Sequence, residues 1–242
     1  MRARLHLPGP LREGQRAELG PGEQHYLQRV LRLRAGQAIE VFDGAGRRFV
    51  ARVGALSQRG AHLLLGEALA ATPESPLRVT LAQCLSSAEK MDWTIEKAVE
   101  LGVHRIVPIA SARSVVRLDA ERAARRVEHW RRLIGAACAQ CGRDTLPGID
   151  APQPLAHWLD ARSRAHEAVV LAPGAATRLA TLALAGPEVD LLVGPEGGLA
   201  DDELAAAARA GFAAASLGAR VLRTETAGLA ALAILQSRLG DI

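Results

Sequence analysis

Aromatic residues make up only 3% of this 242-residue chain, with one Tyr, three Phe and three Trp. A core must therefore be built from Ala, Leu and Val, and nucleic-acid binding cannot rest on a platform of stacked rings. Cysteine is equally scarce: Cys84, Cys138 and Cys141 are too few for a disulfide scaffold, in keeping with a reducing, cytoplasmic compartment. No stretch of about 18 uncharged apolar residues occurs, and the start, MRARLHLPGP, lacks an apolar run of signal-peptide length. The expectation is a soluble, intracellular protein without a membrane segment. Lysine is confined to Lys90 and Lys97, so Arg supplies the rest of the 30 cationic side chains. Arg suits bidentate phosphate contacts, although genome composition produces the same bias.

Several chemical signatures are also missing. No Gly-x-Ser-x-Gly elbow occurs, the seven histidines show no metal spacing, and no glycine loop ends in Gly-Lys-Ser/Thr or follows Gly-x-Gly-x-x-Gly. Cys138-Ala-Gln-Cys141 has no second ligand pair for zinc, and it falls at a helix end, where a redox thiol would lack the dipole that lowers its pKa. No metal is expected. Gly142 reads instead as a C-cap, leaving Gln140 and Arg143 as polar groups at the mouth of a site.

What remains is ordinary globular composition, 49% hydrophobic and 23% charged. The length exceeds one modal domain of roughly 100 to 150 residues, which favours two. The net charge of +4 is uneven: residues 1–72 hold 11 Arg against 6 acids, whereas the remainder is nearly balanced. Residues 1–72 read as a β-rich unit, with a helix starting after Pro21-Gly22 and a hairpin turn at Asp43-Gly44-Ala45-Gly46. AATPESP at 70–76 has linker composition, so the boundary is placed there, with a second domain at 73–242. In that domain LRVTLAQCL, HRIVPIA, EAVVLAP, VDLLVGP and AAASLG are apolar at nearly every position, the pattern of parallel strands buried on both faces. A long helix capped by Asp119 carries a basic face, and Arg105 to Arg132 contains eight Arg against three acids. Arg32, Arg34 and Arg47, with Arg113 and Arg117, lie in the two regions of positive excess and are candidate phosphate contacts.

Two strand ends carry the functional signal. After DLLV comes Gly194-Pro195-Glu196-Gly197-Gly198 and then the acidic start Asp201-Asp202. Such a loop lets backbone approach a ligand at the carboxyl end of a strand, and the acids after it favour a nucleoside without phosphates. Gly197 is expected at positive φ, so that Gly197→Val should abolish ligand binding. After ASLG comes Leu222-Arg223-Thr224-Glu225-Thr226, leading into a helix that Thr224 or Thr226 could cap.

The segments HYLQRVLRLRAGQAIEVFDGAG, EKMDWTIEKAVELGVHRIVPI, QCGR, LLVGPEGGL and LGARVLRTETA, in that order from about His25 to Ala233, resemble the successive motifs of the ribosomal RNA small subunit methyltransferase E family. The resemblance implies an α/β protein: an N-terminal PUA-like β-barrel and a C-terminal SPOUT-type parallel sheet with a trefoil knot. It also implies S-adenosylmethionine as cofactor, a homodimer, and methylation of uridine N3 in 16S rRNA of the small ribosomal subunit. Carried onto this sequence, it assigns the cofactor to Leu171, Ala172, Pro173, Gly194, Pro195, Glu196, Gly197, Gly198, Leu217, Gly218, Leu222, Thr224, Thr226 and Ala227. Arg143 and Arg223 are candidates to stabilise a developing uridinate and Glu225 to accept its proton. His25, Arg29 and Gln140 join the arginines named above as candidate RNA contacts. Acids usual in the family are Ala112 and Ala139 here. The alternatives are a SPOUT methyltransferase of a tRNA or another rRNA base, and a non-catalytic RNA-binding assembly factor.

Overall fold

The computed structural model describes residues 3–57, 60–116 and 118–242, which form two compact units. The first comprises residues up to Glu74 together with Cys138–Leu146, and the second Ser75–Ala137 with Pro147–Ile242. The break at Glu74 falls within the linker-like segment. Assignment of Cys138–Leu146 to the first unit departs from the linear division expected from composition.

In the first unit, β1 (Arg4–His6), β2 (Arg16–Leu19), β3 (Ala38–Phe42), β4 (Arg48–Ser57) and β5 (Gly60–Leu69) make one curled sheet in the order β1-β3-β4-β5-β2. Alternation along the strands turns Ile39 and Val41, Phe49, Ala51 and Val53, and Leu63 and Leu65 into one core with Leu27. The helix expected over the following segment is shorter than its pattern: α1 (Pro21–His25) passes into a π-helical turn, Tyr26–Val30. Arg32 then ends it at φ 53, with Leu33 N–H returning 2.9 Å to Leu27 O. Between β3 and β4 the expected glycine turn is present. Asp43 Oδ1 accepts from Ala45 N at 2.8 Å and Arg47 N at 3.0 Å, while Gly44 and Gly46 take φ 77 and 94. Residues 138–146 are held here by polar groups: Asp144 is fully buried, paired with Arg4, and accepts from Thr72 N at 2.7 Å.

The second unit is a seven-stranded parallel sheet. The five expected strands appear as β6 (Arg78–Cys84), β7 (Arg105–Ala110), β10 (Glu167–Leu171), β11 (Glu188–Val193) and β12 (Ala213–Ala215). Two short strands not read from the sequence, β8 (Gly148–Ile149) and β9 (Gln153–Pro154), pair with β7. The order is β12-β10-β11-β6-β7-β8, with β9 also beside β7. β11 is buried from Val189 to Val193, as a strand covered on both faces must be. One face meets α4 (Leu155–Ala161) and α5 (Asp201–Arg209) through Trp158, Leu159, Ala207 and Phe212. α2 (Ala88–Glu100) packs beside α6 (Thr224–Leu239), which lies on β6 and β11. α3 (Ala120–Cys141) starts where expected, since Asp119 Oδ1 accepts from Arg122 N at 2.8 Å, and Gly142 closes it at φ 96.

Candidate functional site

The carboxyl ends of β10, β11 and β12 open on a cleft of about 680 Å³, where open α/β sheets bind ligands. Its walls are the loops following the three strands, at 171–173, 193–199 and 215–224, with Leu204 and Ala227 behind them. The middle loop folds back tightly because residue 194 has no side chain. A Cβ there would sit 3.2 Å from Leu199 N and 3.3 Å from Leu199 Cγ. Gly198 takes φ 68 and donates 2.9 Å to Pro195 O, completing the turn. Positive φ thus falls on Gly198 and not on Gly197, correcting the expectation. A Cβ at Gly197 would make only ordinary contacts, 3.5 Å to Arg113 Cβ and 3.6 Å to Cδ.

Side chains from outside the loop hold it in place. Thr224 Oγ1 donates 2.6 Å to Gly194 O and accepts from Gln83 Nε2 at 2.8 Å. Thr224 therefore ties the loop and makes no side-chain cap for α6, whose N-cap is Arg223. Arg113 Nη1 donates to Gly197 O at 3.0 Å and Leu199 O at 3.4 Å. Glu203 accepts from Ala200 N at 2.9 Å and Ala112 N at 2.8 Å, bracing the start of α5 and the segment that carries Arg113.

The cleft's charge is organised around Lys90. Its ammonium lies 3.0 Å from Glu196 Oε1 and 3.6 Å from Glu225 Oε2. Hydrogen bonding to Glu196, then the charges of both carboxylates, raise the Lys90 pKa. Burial alone would push the Glu196 carboxyl up. Its own backbone N–H, Lys90 and the Arg223 charge outweigh that and hold it below the ordinary carboxylate range. Two features beneath the loop are costly. Gln83 Oε1 is buried with no hydrogen-bond partner, a loss of roughly 1–3 kcal/mol. Gly228 sits inside α6, where glycine costs about 1 kcal/mol relative to Ala.

Of the residues expected to hold a cofactor, Thr226 alone is not in the cleft wall; it is exposed on the first turn of α6. Arg223 is exposed and lines the cleft, and Glu225 stands beside it on the Lys90 ammonium. Arg143 belongs to the first unit, where its guanidinium pairs with Glu74, and Gln140 is exposed on the last turn of α3 in that unit. His25, Arg29, Arg32 and Arg34 are exposed on the first unit. Arg47 donates to Asp43 Oδ2 at 2.7 Å. Arg113 is engaged with the glycine loop, and Arg117 lies outside the described residues. Gln83, Lys90 and Glu203 were not read from the sequence as site residues. Lys90, as one of two lysines, carried the only usable signal.

Burial pushes the Cys84 and Cys138 thiols up to about 12, which makes both unreactive at neutral pH. Among the described residues no three His, Cys, Asp or Glu side chains gather as a metal site, and no helix is long and apolar enough to cross a membrane.

The family model of the RNA methyltransferase domain matches residues 73–236, and that of the RNA methyltransferase PUA domain matches residues 11–65. Ribosomal RNA small subunit methyltransferase E of Buchnera aphidicola subsp. Schizaphis graminum is 30% identical over 239 residues, covering 99% of this chain and 97% of that protein. The protein of the same name from Mycobacterium tuberculosis is 34% identical over 219 residues, covering 86% and 82%. Among solved structures, a ribosomal RNA small subunit methyltransferase E from Neisseria gonorrhoeae bound to S-adenosyl methionine superposes with a TM-score of 0.92 at 36% identity, covering all of both chains.

Proposed function

Because the chain belongs to the ribosomal RNA small subunit methyltransferase E family, we propose that it transfers a methyl group from S-adenosylmethionine to uridine N3 in 16S rRNA of the small ribosomal subunit. The observation that carries this reading is the cleft formed by three loops at adjoining strand ends. Its volume of about 680 Å³ suits a ligand of nucleoside size. Leu171, Val193, Leu199, Leu217 and Leu222 give it apolar walls for a base and ribose, and Glu196 supplies a carboxylate for a ligand that carries positive charge. The residues present therefore fit S-adenosylmethionine.

When bound, S-adenosylmethionine supplies an electrophilic methyl group that needs an in-line approach and little covalent help. The chain's contribution is then placement and proton handling. The loop from Gly194 to Gly198 and the residues Leu217, Gly218, Leu222 and Ala227 hold and orient the ligand. Arg223, exposed on the cleft wall, is placed to stabilise negative charge developing on a uracil ring. Glu225 is the candidate acceptor of the N3 proton, with the Lys90 ammonium beside it. Arg143 is retained as a second candidate for charge stabilisation. His25, Arg29, Arg32 and Arg34 supply exposed positive or polar groups for RNA on the barrel domain, assigned to residues 1–72.

A trefoil knot at the carboxyl end belongs to this reading. It is supported by ties among the segments concerned: Leu179 N–H donates 2.9 Å to Ser216 O, and Arg238 donates to Leu179 O at 2.7 Å and Leu182 O at 2.8 Å. So does a homodimer through α6, whose Ala227, Ala230, Ala233 and Ile234 form a half-covered apolar face opposite its buried one. A cytoplasmic location follows from the substrate.

The test is incubation of the purified protein with methyl-labelled S-adenosylmethionine and small ribosomal subunits, followed by nucleoside digestion. Label in 3-methyluridine is expected. Label in another nucleoside, or no transfer by a protein that binds no S-adenosylmethionine, refutes the assignment.

A further inference from the structure

We infer that Gln83, at the end of β6, is a positioning residue for the cofactor loop, acting through Thr224 on the Gly194 carbonyl. The inference rests on the reading of the cleft as the S-adenosylmethionine site.

The hydrogen bonds form a directed chain. Gln83 Nε2 gives its two protons to Thr224 Oγ1 at 2.8 Å and Cys84 O at 3.3 Å. Turning the amide over would set Oε1 against the Cys84 carbonyl, acceptor against acceptor, so the backbone at Cys84 fixes which end faces Thr224. Thr224 then has one proton to give, and it goes to Gly194 O at 2.6 Å. The hydroxyl is thereby committed as a donor. Although Thr224 lines the cleft, it is only 5% exposed, and its effect on a ligand passes through the loop.

Two unfavourable features are explained by this chain together. Gln83 is 1% exposed, and its Oε1 has no partner. Gly228 faces it from α6, where a Cβ would lie 2.9 Å from that same oxygen. The residues beside Gln83 on β6 are Leu81, Ala82 and Cys84, all fully buried. An apolar side chain at position 83 would serve the sheet as well, without an orphaned oxygen and without a glycine in the helix. Both costs are incurred to set a donor under Thr224.

What the chain fixes is the entry of the loop. The Gly194–Pro195 peptide is planar, so holding the Gly194 oxygen orients the Pro195 ring, and with it the tight return of the loop onto Leu199. Gly194 and Pro195 both line the cleft.

Four variants test this by titration with S-adenosylmethionine and by thermal unfolding. Gln83→Leu keeps the bulk and removes both donors; Thr224→Val keeps the shape and removes the hydroxyl; Thr224→Ser keeps the hydroxyl; the fourth joins Gln83→Leu to Thr224→Val. Each of the first two should raise Kd about tenfold. Thr224→Ser, which keeps the donor, should bind more tightly than Thr224→Val, and the double variant should be no weaker than the worse single one, because one chain is broken only once. Wild-type affinity in folded Gln83→Leu or Thr224→Val, or losses that multiply to about a hundredfold in the double variant, would overturn the inference. If Gln83→Leu does not fold, the two Thr224 variants decide: equal affinity in Thr224→Val and Thr224→Ser overturns it. A wild-type protein that binds no S-adenosylmethionine overturns the reading of the cleft, and the inference with it.

Discussion

Replacing Gly198 and Gly197 separately by alanine tests the geometry of the loop from Gly194 to Gly198, because the two positions differ in one respect that can be given a magnitude. Gly198 has φ 68 and open space where a Cβ would go, whereas Gly197 has no positive φ and would place its Cβ 3.5 Å from Arg113 Cβ. For Gly198→Ala the penalty is therefore conformational, roughly 1–2 kcal/mol for an L-residue held in the left-handed region. For Gly197→Ala it should be within about 0.5 kcal/mol, the range of surface changes that disturb no special feature. The Gly198 penalty can be expressed in two ways. If the loop keeps its shape, stability falls and Tm drops by roughly 2–8 °C for a chain of this size. If the loop relaxes, Tm is kept and S-adenosylmethionine affinity falls by about 5- to 30-fold. The sum of the two losses is bounded by the same 1–2 kcal/mol. Thermal unfolding and calorimetric titration of both variants measure that sum. A larger summed loss for Gly197→Ala than for Gly198→Ala would refute the reasoning.

Acid stability of the first unit should depend on Asp43. Burial alone raises its carboxyl, but N–H donors from Ala45 and Arg47 and the Arg47 guanidinium outweigh this and hold it below the ordinary carboxylate range. The folded value is depressed, so the stabilisation is complete above the ordinary carboxylate pKa and is lost as pH falls through the folded one. Asp43→Asn should cost about 1.5–3 kcal/mol near neutrality and flatten that acid limb in pH-dependent unfolding; an unchanged limb contradicts the assignment. Ala231 is fully buried in α6 and Ala230 is on its half-covered face. Ala231→Glu should prevent folding, while Ala230→Glu should fold and sediment as a monomer; a folded dimer of Ala230→Glu refutes the interface. Neutralising Arg29, Arg32 and Arg34 should weaken RNA binding and reduce its log–log salt slope by about 0.7 for each phosphate no longer neutralised, leaving S-adenosylmethionine affinity intact. Arg113→Ala should instead weaken S-adenosylmethionine binding, because Arg113 holds Gly197 O and Leu199 O; an effect on RNA alone would return Arg113 to the phosphate-contacting set.

The second unit was legible because its strands are buried on both faces, so apolar runs such as DLLV and EAVV identify a parallel sheet without help from periodicity. The glycine loops were legible for a related reason. Gly194 and Gly198 mark a close backbone return and a left-handed turn, two demands that other residues meet poorly. Which glycine met which demand was not legible, since the string Gly197-Gly198 does not say where φ changes sign. Thr224 read as a helix cap because a hydroxyl before an apolar run usually is one. Its actual partners, Gly194 O and Gln83, are 30 and 141 residues away, and local spacing carries no information about either. Arg113 reads from its region of positive excess as a phosphate contact, and its hydrogen bonds to carbonyls 84 and 86 residues on leave no local trace either. Residues 138–146 joined the first unit through the buried Asp144, paired with Arg4 140 residues earlier in the chain. No composition shift announces such a contact.

Nucleoside analysis of 16S rRNA from a strain lacking this chain tests the central claim most directly. The account predicts that 3-methyluridine disappears from 16S rRNA in that strain and returns when the wild-type chain is supplied. Undiminished 3-methyluridine in the deletion strain would contradict it.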